Sequence, residues 1–242
     1  MTQDPDQAAK RWRRSWQAVT LGWCLWLLVA WGLTLASSAV VPATRWMVYA
    51  AMIGAMAAWP TFRLSQSPFP PGDARSPRAA WALIFGDWVS LVVLLQLMIW
   101  PLWLSTGQWQ TTGAGRVFVM RWSWEQTGLL SAALSSWMLL TAAIVAWGVG
   151  RGTRAAAWLA MVACVALIVG EPIVQGVAGA IGGTNLDWPA FRVSPLSTLW
   201  GLTESKAAYR PEPWTARVIA VAAAGVIAWA GLWAMGRRRV GR

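Results

Sequence analysis

Apolar residues along this chain are gathered into blocks of about twenty, and shorter polar or charged stretches separate the blocks. An α-helix rises 1.5 Å per residue, so a helix of that length crosses a hydrocarbon core of about 30 Å. The pattern therefore predicts an all-α, polytopic integral membrane protein with a six-helix transmembrane domain over residues 17–236. The predicted spans are residues 17–37, 45–59, 80–103, 124–149, 155–174 and 216–235.

The segment before the first span has its own periodicity. Asp4-Pro5 predicts a helix start, since aspartate caps a first turn that proline pre-forms. Small and indole side chains then alternate at helical spacing with Lys10, Arg11, Arg13 and Arg14. Residues 1–16 are thus predicted to form an amphipathic helix on the cytoplasmic leaflet.

Prolines mark where the predicted helices end. Trp-Pro pairs begin at Trp59, Trp100 and Trp188, and proline disfavours helix both at its own position and before it. Many of the twenty-two tryptophans, Trp59 and Trp81 among them, fall near span ends, which is typical of an aromatic belt. Residues 175–215 are predicted to form the long outer loop. Within it Ser194-Pro195 caps a short helix that either lies on the outer leaflet or re-enters the bundle.

The basic residues predict the orientation of the chain. Thirteen of the twenty lie in the N-terminal segment, the second loop, the fourth loop and the tail 237–242, and the other seven lie on the opposite side. Cytoplasmic loops collect Lys and Arg. We therefore expect both termini in the cytoplasm and the chain in the inner (plasma) membrane, in contact with membrane lipid.

Composition narrows the chemistry further. Only 12% of residues are charged, against about a quarter in soluble domains. The net charge of +11 comes from residues that flank apolar blocks, so nucleic-acid binding is not expected. Histidine is absent, neither lysine belongs to a phosphate loop, and Cys24 and Cys164 lie singly in apolar blocks. We expect no catalytic residues, no metal and no cofactor, and therefore no enzyme.

Three polar residues inside or near the spans are candidate functional positions: Asp87, Gln96 and Glu171. Asp87 is expected to meet Arg78 or Arg154 at the inner surface, or to serve a transport path. Glu171 is expected to reach outer water or to pair with Arg192 or Arg217, or else to bind substrate. Gln96 is expected to join two helices by hydrogen bonds.

Several of these features together resemble the membrane subunits of type-two ABC exporters. They are an amphipathic helix before the first span, six spans with cytoplasmic ends, a cytoplasmic second loop, and a long outer connection holding the Pro-containing stretch Ser194–Leu199. The family's charged Glu-Arg and Gly-Thr pattern is not evident between Arg63 and Arg78. The resemblance implies a permease, separate ATP-binding cassette subunits, and export of a lipid-linked, polysaccharide or small hydrophobic substrate. It makes the second loop, with Arg63, Arg75 and Arg78, the candidate partner-coupling loop.

Two functions remain open from the sequence. The first is the permease subunit of an ABC-type transporter, as a homodimer or hetero-oligomer with an ATP-hydrolysing partner. The second is a structural or accessory subunit of a larger respiratory or photosynthetic membrane complex. An intramembrane enzyme is less favoured, because Asp87 with Ser90 is the best reactive pair that the sequence offers.

Overall fold

The structure is a computed structural model that describes residues 5–36, 41–65, 77–105, 107–112, 115–120, 122–182, 194–203 and 211–240. Helices dominate this part of the chain. Their bounds are α1 Pro5–Ala36, α2 Val41–Ile53, α3 Trp59–Ser65, α4 Pro77–Ser105, α5 Trp124–Arg151, α6 Arg154–Gly182, α7 Pro195–Leu202 and α8 Glu212–Val240. A five-residue π-helical turn, Gly54–Ala58, joins α2 directly to α3, and we call it the π segment.

Among the described residues, five helices are long and apolar enough to cross a membrane. Their apolar stretches are Gln17–Thr34 in α1, Pro77–Pro101 in α4, Trp124–Arg151 in α5, Arg154–Val177 in α6 and Glu212–Gly236 in α8. These helices indicate a membrane-embedded protein. The predicted second span is also helical, but the π segment divides it into two shorter α-helices.

The long helices alternate in direction, as contacts between them show. Trp26 Nε1 donates to the Ala50 carbonyl, which brings α1 beside α2. Leu202 of α7 contacts the start of α5, and Gly201 contacts Trp214 near the start of α8. Trp81 near the start of α4 lies against Gly150 and Gly236, near the ends of α5 and α8. The helix ends therefore gather at two opposite ends of one bundle.

The two ends differ in charge. One end carries Arg78, Arg151 and Arg154, and we call it the basic end. The other carries Glu125, Glu171 and Glu212, and we call it the acidic end. Arg45 and Arg217 also lie toward the acidic end, at the starts of α2 and α8.

Indole hydrogen bonds join the helices across the bundle. Three indole N–H groups donate to backbone carbonyls of another helix. Trp23 Nε1 donates to the Leu91 carbonyl at 3.1 Å, Trp88 Nε1 to the Ser135 carbonyl at 3.2 Å, and Trp229 Nε1 to the Leu139 carbonyl at 3.2 Å. Apolar packing alone distinguishes protein from lipid poorly, so such bonds help to specify which helices meet. The aromatic-belt interpretation is wrong for Trp59 and Trp81, whose side chains are buried.

Several helices extend beyond the bounds of the predicted spans. The segment before the first span is not a separate helix, because α1 continues through it with no proline or glycine between Pro5 and Gly22. Helices continue past Pro60 and Pro101, and the wider π turn ends just before Pro60, which has no N–H to donate. Helix α6 continues to Gly182, into the segment predicted as the outer loop. The tail is likewise helical as far as Val240.

One element was not predicted at all. Strands β1 Gly107–Thr112 and β2 Gly115–Met120 pair antiparallel, with Trp109 opposite Phe118, between α4 and α5. The alternation of β-branched and aromatic residues around Gly113-Ala114-Gly115 is the sequence signal for such a hairpin. The described part of the chain is therefore all-helical apart from this short hairpin.

Candidate functional site

A buried ion pair lies where the π segment meets α3. Arg63 Nε donates to Asp87 Oδ2 at 2.5 Å, and Arg63 Nη2 donates to Asp87 Oδ1 at 2.8 Å. The Arg63 side chain is 4% exposed and that of Asp87 is 1% exposed. Among the side chains that the structure describes, these two alone are both charged and buried.

Local helix geometry explains how the pair forms. Trp59 and Arg63 are four residues apart, so they share one face of α3, and both are buried there. Asp87 lies on the buried stripe of α4, one turn before Leu91. Trp59 Nε1 adds a longer contact of 3.4 Å to Asp87 Oδ2. We call Trp59, Arg63 and Asp87 the ion-pair cluster.

The arrangement neutralises two charges away from water. Guanidinium and carboxylate meet through two parallel N–H···O bonds, the strongest geometry for such a pair. Asp87 follows Pro77 by ten residues, which places it about 15 Å along α4 from the helix start. An isolated charge at that depth would be costly in hydrocarbon, so each residue depends on the other.

The ion-pair cluster corrects two predictions. Asp87 does not pair with Arg78 or Arg154, since its carboxylate is bound by Arg63. Arg63 is not part of an exposed coupling loop, since its side chain faces the interior from α3. Arg75, the second predicted coupling residue, lies outside the described residues. Ser90 Oγ donates to the Gly86 carbonyl, so the reactive pair considered for Asp87 does not form.

Gln96 joins α4 to α5. Its Nε2 lies 3.3 Å from Ser135 Oγ, and its Oε1 accepts a hydrogen bond from Ser131 Oγ at 2.5 Å. Ser135 Oγ in turn donates to the Ser131 carbonyl at 2.8 Å. The predicted interhelical role of Gln96 is confirmed, and these bonds fix the contact of the two helices about two turns along α4 from Asp87.

The short helix α7 is docked at the acidic end, and Glu171 holds its N-terminus. Glu171 Oε2 accepts hydrogen bonds from Ser194 N at 2.5 Å and from Ser197 Oγ at 2.8 Å. Ser194 Oγ also accepts from Ser197 N, as an N-cap does. A carboxylate at this position interacts favourably with the helix dipole, which is positive at the N-terminus.

Arg45 and Gln126 hold the other end of α7. Arg45 Nε donates to Thr203 Oγ1 at 2.9 Å and Arg45 Nη2 to the Thr203 carbonyl at 3.2 Å, with the guanidinium 4.0 Å from the Trp200 ring centroid. Gln126 Nε2 donates to the Leu202 carbonyl at 2.8 Å. We call Arg45, Gln126 and Glu171 the α7 clamp. Its charges are opposite to those of the helix ends that they contact.

The α7 clamp holds this short helix against the ends of the long helices. Leu199 and Leu202 are fully buried and Trp200 is 53% exposed, so α7 packs into the bundle with one side outward. The sequence leaves outer water, an arginine or a substrate open as partners of Glu171; in the structure its hydrogen bonds are donated by Ser194 N, Ser197 Oγ and Gln175 Nε2. Arg192 lies outside the described residues. Sequence reasoning did not find Arg45 or Gln126, because nothing local relates either residue to α7.

The remaining candidates carry less chemistry. Cys164 is a buried free cysteine, as its apolar surroundings in the sequence predict, and Cys24 is half-buried and free. Within the described ranges, no group of three or more His, Cys, Asp or Glu side chains is placed to hold a metal ion.

Comparison with known proteins adds no family. No protein-family model, no curated protein and no solved structure matches this chain.

Proposed function

We propose that this chain is the membrane-spanning permease subunit of a transporter whose ATP hydrolysis takes place on a separate partner chain. The observation that carries the proposal is the buried Arg63–Asp87 pair beside the π segment. Ionisable residues inside a membrane bundle are costly and mark transport paths or switching contacts. π turns inside helices are likewise frequent at functional sites.

The two polar clusters support an alternating mechanism. The ion-pair cluster joins α3 to α4, and the α7 clamp joins α7 to α2, α5 and α6 at the acidic end. Each cluster is a set of discrete bonds that is either formed or broken. In the proposed cycle one cluster stays closed while the other opens, so that a path between the helices faces one side at a time.

The proposed orientation places the basic end in the cytoplasm, because Lys and Arg collect in cytoplasmic loops. The chain then has six spans in the inner membrane, with α2, the π segment and α3 together forming the second. Both termini lie in the cytoplasm. Residues 66–76 form the segment proposed to contact the ATP-hydrolysing partner, and Arg63 acts inside the bundle instead.

The test is to express the chain with the products of neighbouring genes and to purify it through an affinity tag. We expect an ATP-binding cassette subunit to co-purify and to hydrolyse ATP. Replacing residues 66–76 by a Gly-Ser linker of equal length should reduce the co-purified subunit at least about tenfold, if the contact is worth 1.4 kcal/mol or more. That replacement leaves Arg63 and Arg78 in place.

The matched control replaces residues 183–193, a segment of the same length between α6 and α7. It should leave co-purification unchanged, because the proposed orientation places it on the other side of the membrane. The proposal fails if the unaltered chain recovers no ATP-hydrolysing partner. It also fails if the 66–76 replacement binds the partner as well as the control does.

A second candidate, an accessory subunit of a larger membrane complex, is favoured by the exposure of α6. Only 17% of the apolar stretch of α6 is buried, less than in any other of the five candidate spans. Trp158, Leu159 and Val162 are all more than half exposed on it. Such a face is able to contact another membrane chain as well as lipid. Recovery of oxidoreductase subunits in the same purification would support this function over the first.

A further inference from the structure

Two hydrogen-bond donors at the basic end are buried without an acceptor. Trp81 is 6% exposed, and its Nε1 has no hydrogen-bond partner among the described residues. Arg78 is half-buried, and its Nε is likewise buried without a partner there. Buried donors are nearly always satisfied, and an unsatisfied charged donor is especially costly. Arg78 Nε and Trp81 Nε1 lie one helical turn apart on α4, so together they indicate a site for a bound hydrogen-bond acceptor.

Each donor lies against one of two neighbouring helix ends, Arg78 Nε against α8 and Trp81 Nε1 against α5. A Cβ on Gly236 of α8 would be 3.2 Å from Arg78 Nε and 2.6 Å from the Trp81 ring. A Cβ on Gly150 of α5 would overlap Trp81 Nε1. Trp233 packs edge-on against Trp81 with ring centroids 6.2 Å apart. The start of α4 and the ends of α5 and α8 thus meet closely at these two donors.

The charge around this place favours an anion. Arg151 and Arg154 are exposed nearby, between α5 and α6, and Arg237–Arg239 continue α8. Among the described acidic residues, Asp87 is the nearest along α4, and Arg63 already binds it. The first turn of α4 adds backbone N–H groups that have no partner within the helix. The guanidinium of Arg78 therefore lies among other cations, and no carboxylate in the described part of the chain forms a salt bridge with it.

We propose that Arg78 and Trp81 bind the phosphate of an anionic phospholipid headgroup at the basic end. Arginine and indole N–H donors together suit a phosphate diester, which offers several acceptor oxygens. The apolar neighbour favours a lipid over a free ion: Trp233 packs against Trp81 and is 41% exposed, so an acyl chain can pack on it. This site needs the protein only to be membrane-embedded, and it does not depend on the proposed transport function.

The test measures lipids retained by the purified full chain in native mass spectrometry, with phosphatidylglycerol or phosphatidylcholine added. Phosphatidylglycerol should bind the unaltered chain more tightly than phosphatidylcholine. Arg78→Gln should weaken phosphatidylglycerol about tenfold, because it removes a charged donor. Trp81→Phe keeps the ring, removes only the N–H, and should weaken binding about threefold. The matched control Arg154→Gln removes an exposed charge at the same end and should change binding less than twofold.

Three outcomes would overturn the proposal. Equal losses for Arg78→Gln and Arg154→Gln would mean general attraction of anionic lipid to a basic surface. Equal displacement by millimolar inorganic phosphate would mean a site for a soluble anion. Unchanged binding in Trp81→Phe, with its unfolding temperature also unchanged, would remove the indole from the site. If Arg78→Gln does not fold, Trp81→Phe against Arg154→Gln decides the question.

Discussion

Arg63 and Asp87 stabilise the fold only as a pair. Asp87→Asn leaves a buried guanidinium beside a neutral amide, so we expect the free energy of unfolding to fall by about 3–5 kcal/mol. The measurement is chemical unfolding of the purified protein in detergent micelles. The control Ser90→Ala alters a half-buried side chain bonded only within its own helix turn and should cost less than about 1 kcal/mol.

A double variant separates pairing from packing. Replacing Arg63 by Met and Asp87 by Leu removes both charges, and buried ion pairs replaced by apolar residues are often neutral in stability. The double variant should therefore be more stable than Asp87→Asn alone. If Asp87→Asn is as stable as the control, the two residues are not paired in the folded protein.

Sequence reasoning identified Asp87 but not its partner, for a physical reason. The proline Pro60 and the charge of Arg63 both indicate the end of a helix, so Arg63 was assigned to a loop. Because of the π turn the helix continues past Pro60, and a single sequence contains no feature that predicts such a turn. Gln96 was predicted correctly, because a lone amide in an apolar span has few functions other than interhelical bonding.

Charged side chains hold both ends of α7. Glu171→Gln keeps the size of the side chain and weakens two hydrogen bonds at the N-terminus of α7. We expect amide hydrogen exchange in residues 195–203 to become about tenfold faster, as the loss of about 1.4 kcal/mol of local stability requires. The control Glu125→Gln removes an exposed carboxylate at the same end of the bundle and should leave that exchange unchanged.

Hydrogen exchange in α7 also tests the packing of this helix, through substitutions that change only steric contacts. An alanine at Gly201 would overlap the Trp214 indole, whereas an alanine at Gly231 would meet nothing within 4 Å. Gly201→Ala should accelerate exchange in α7, and Gly231→Ala should not. Slow exchange of α7 in both Glu171→Gln and Gly201→Ala would show that the clamp does not hold this helix.

The elements themselves were predictable to different degrees. The long helices follow from apolar blocks, since only a helix satisfies its own backbone in lipid. Their ends were predicted poorly, because Pro60, Pro101 and Pro172 lie inside helices of this bundle. The hairpin at Gly107–Met120 has a sequence signal of its own, but it lies between apolar blocks, and apolar blocks predict only the spans. The contacts of α7 with Arg45 and Gln126 are long-range and could not be read from the chain.

At the scale of the whole molecule, charge separates the two ends of the bundle. The cations used to predict orientation, Arg78, Arg151 and Arg154, do gather at one end, because alternate helices bring alternate loops together. In the part of the chain that the structure describes, length and composition alone identify five candidate spans. Whether the chain crosses six times depends on residues 41–65, where the π segment and the ion-pair cluster lie.

The most direct test of this account is the accessibility of single cysteines introduced into a Cys24→Ala, Cys164→Ala background. An impermeant maleimide is added to intact cells and then to permeabilised cells. Six spans with cytoplasmic ends predict labelling in intact cells for cysteines replacing Gly113, Thr184 and Ser205. They predict labelling only after permeabilisation for cysteines replacing Gly72, Gly152 and Gly241. Labelling of position 72 in intact cells would show that residues 41–65 do not cross, and would contradict the account.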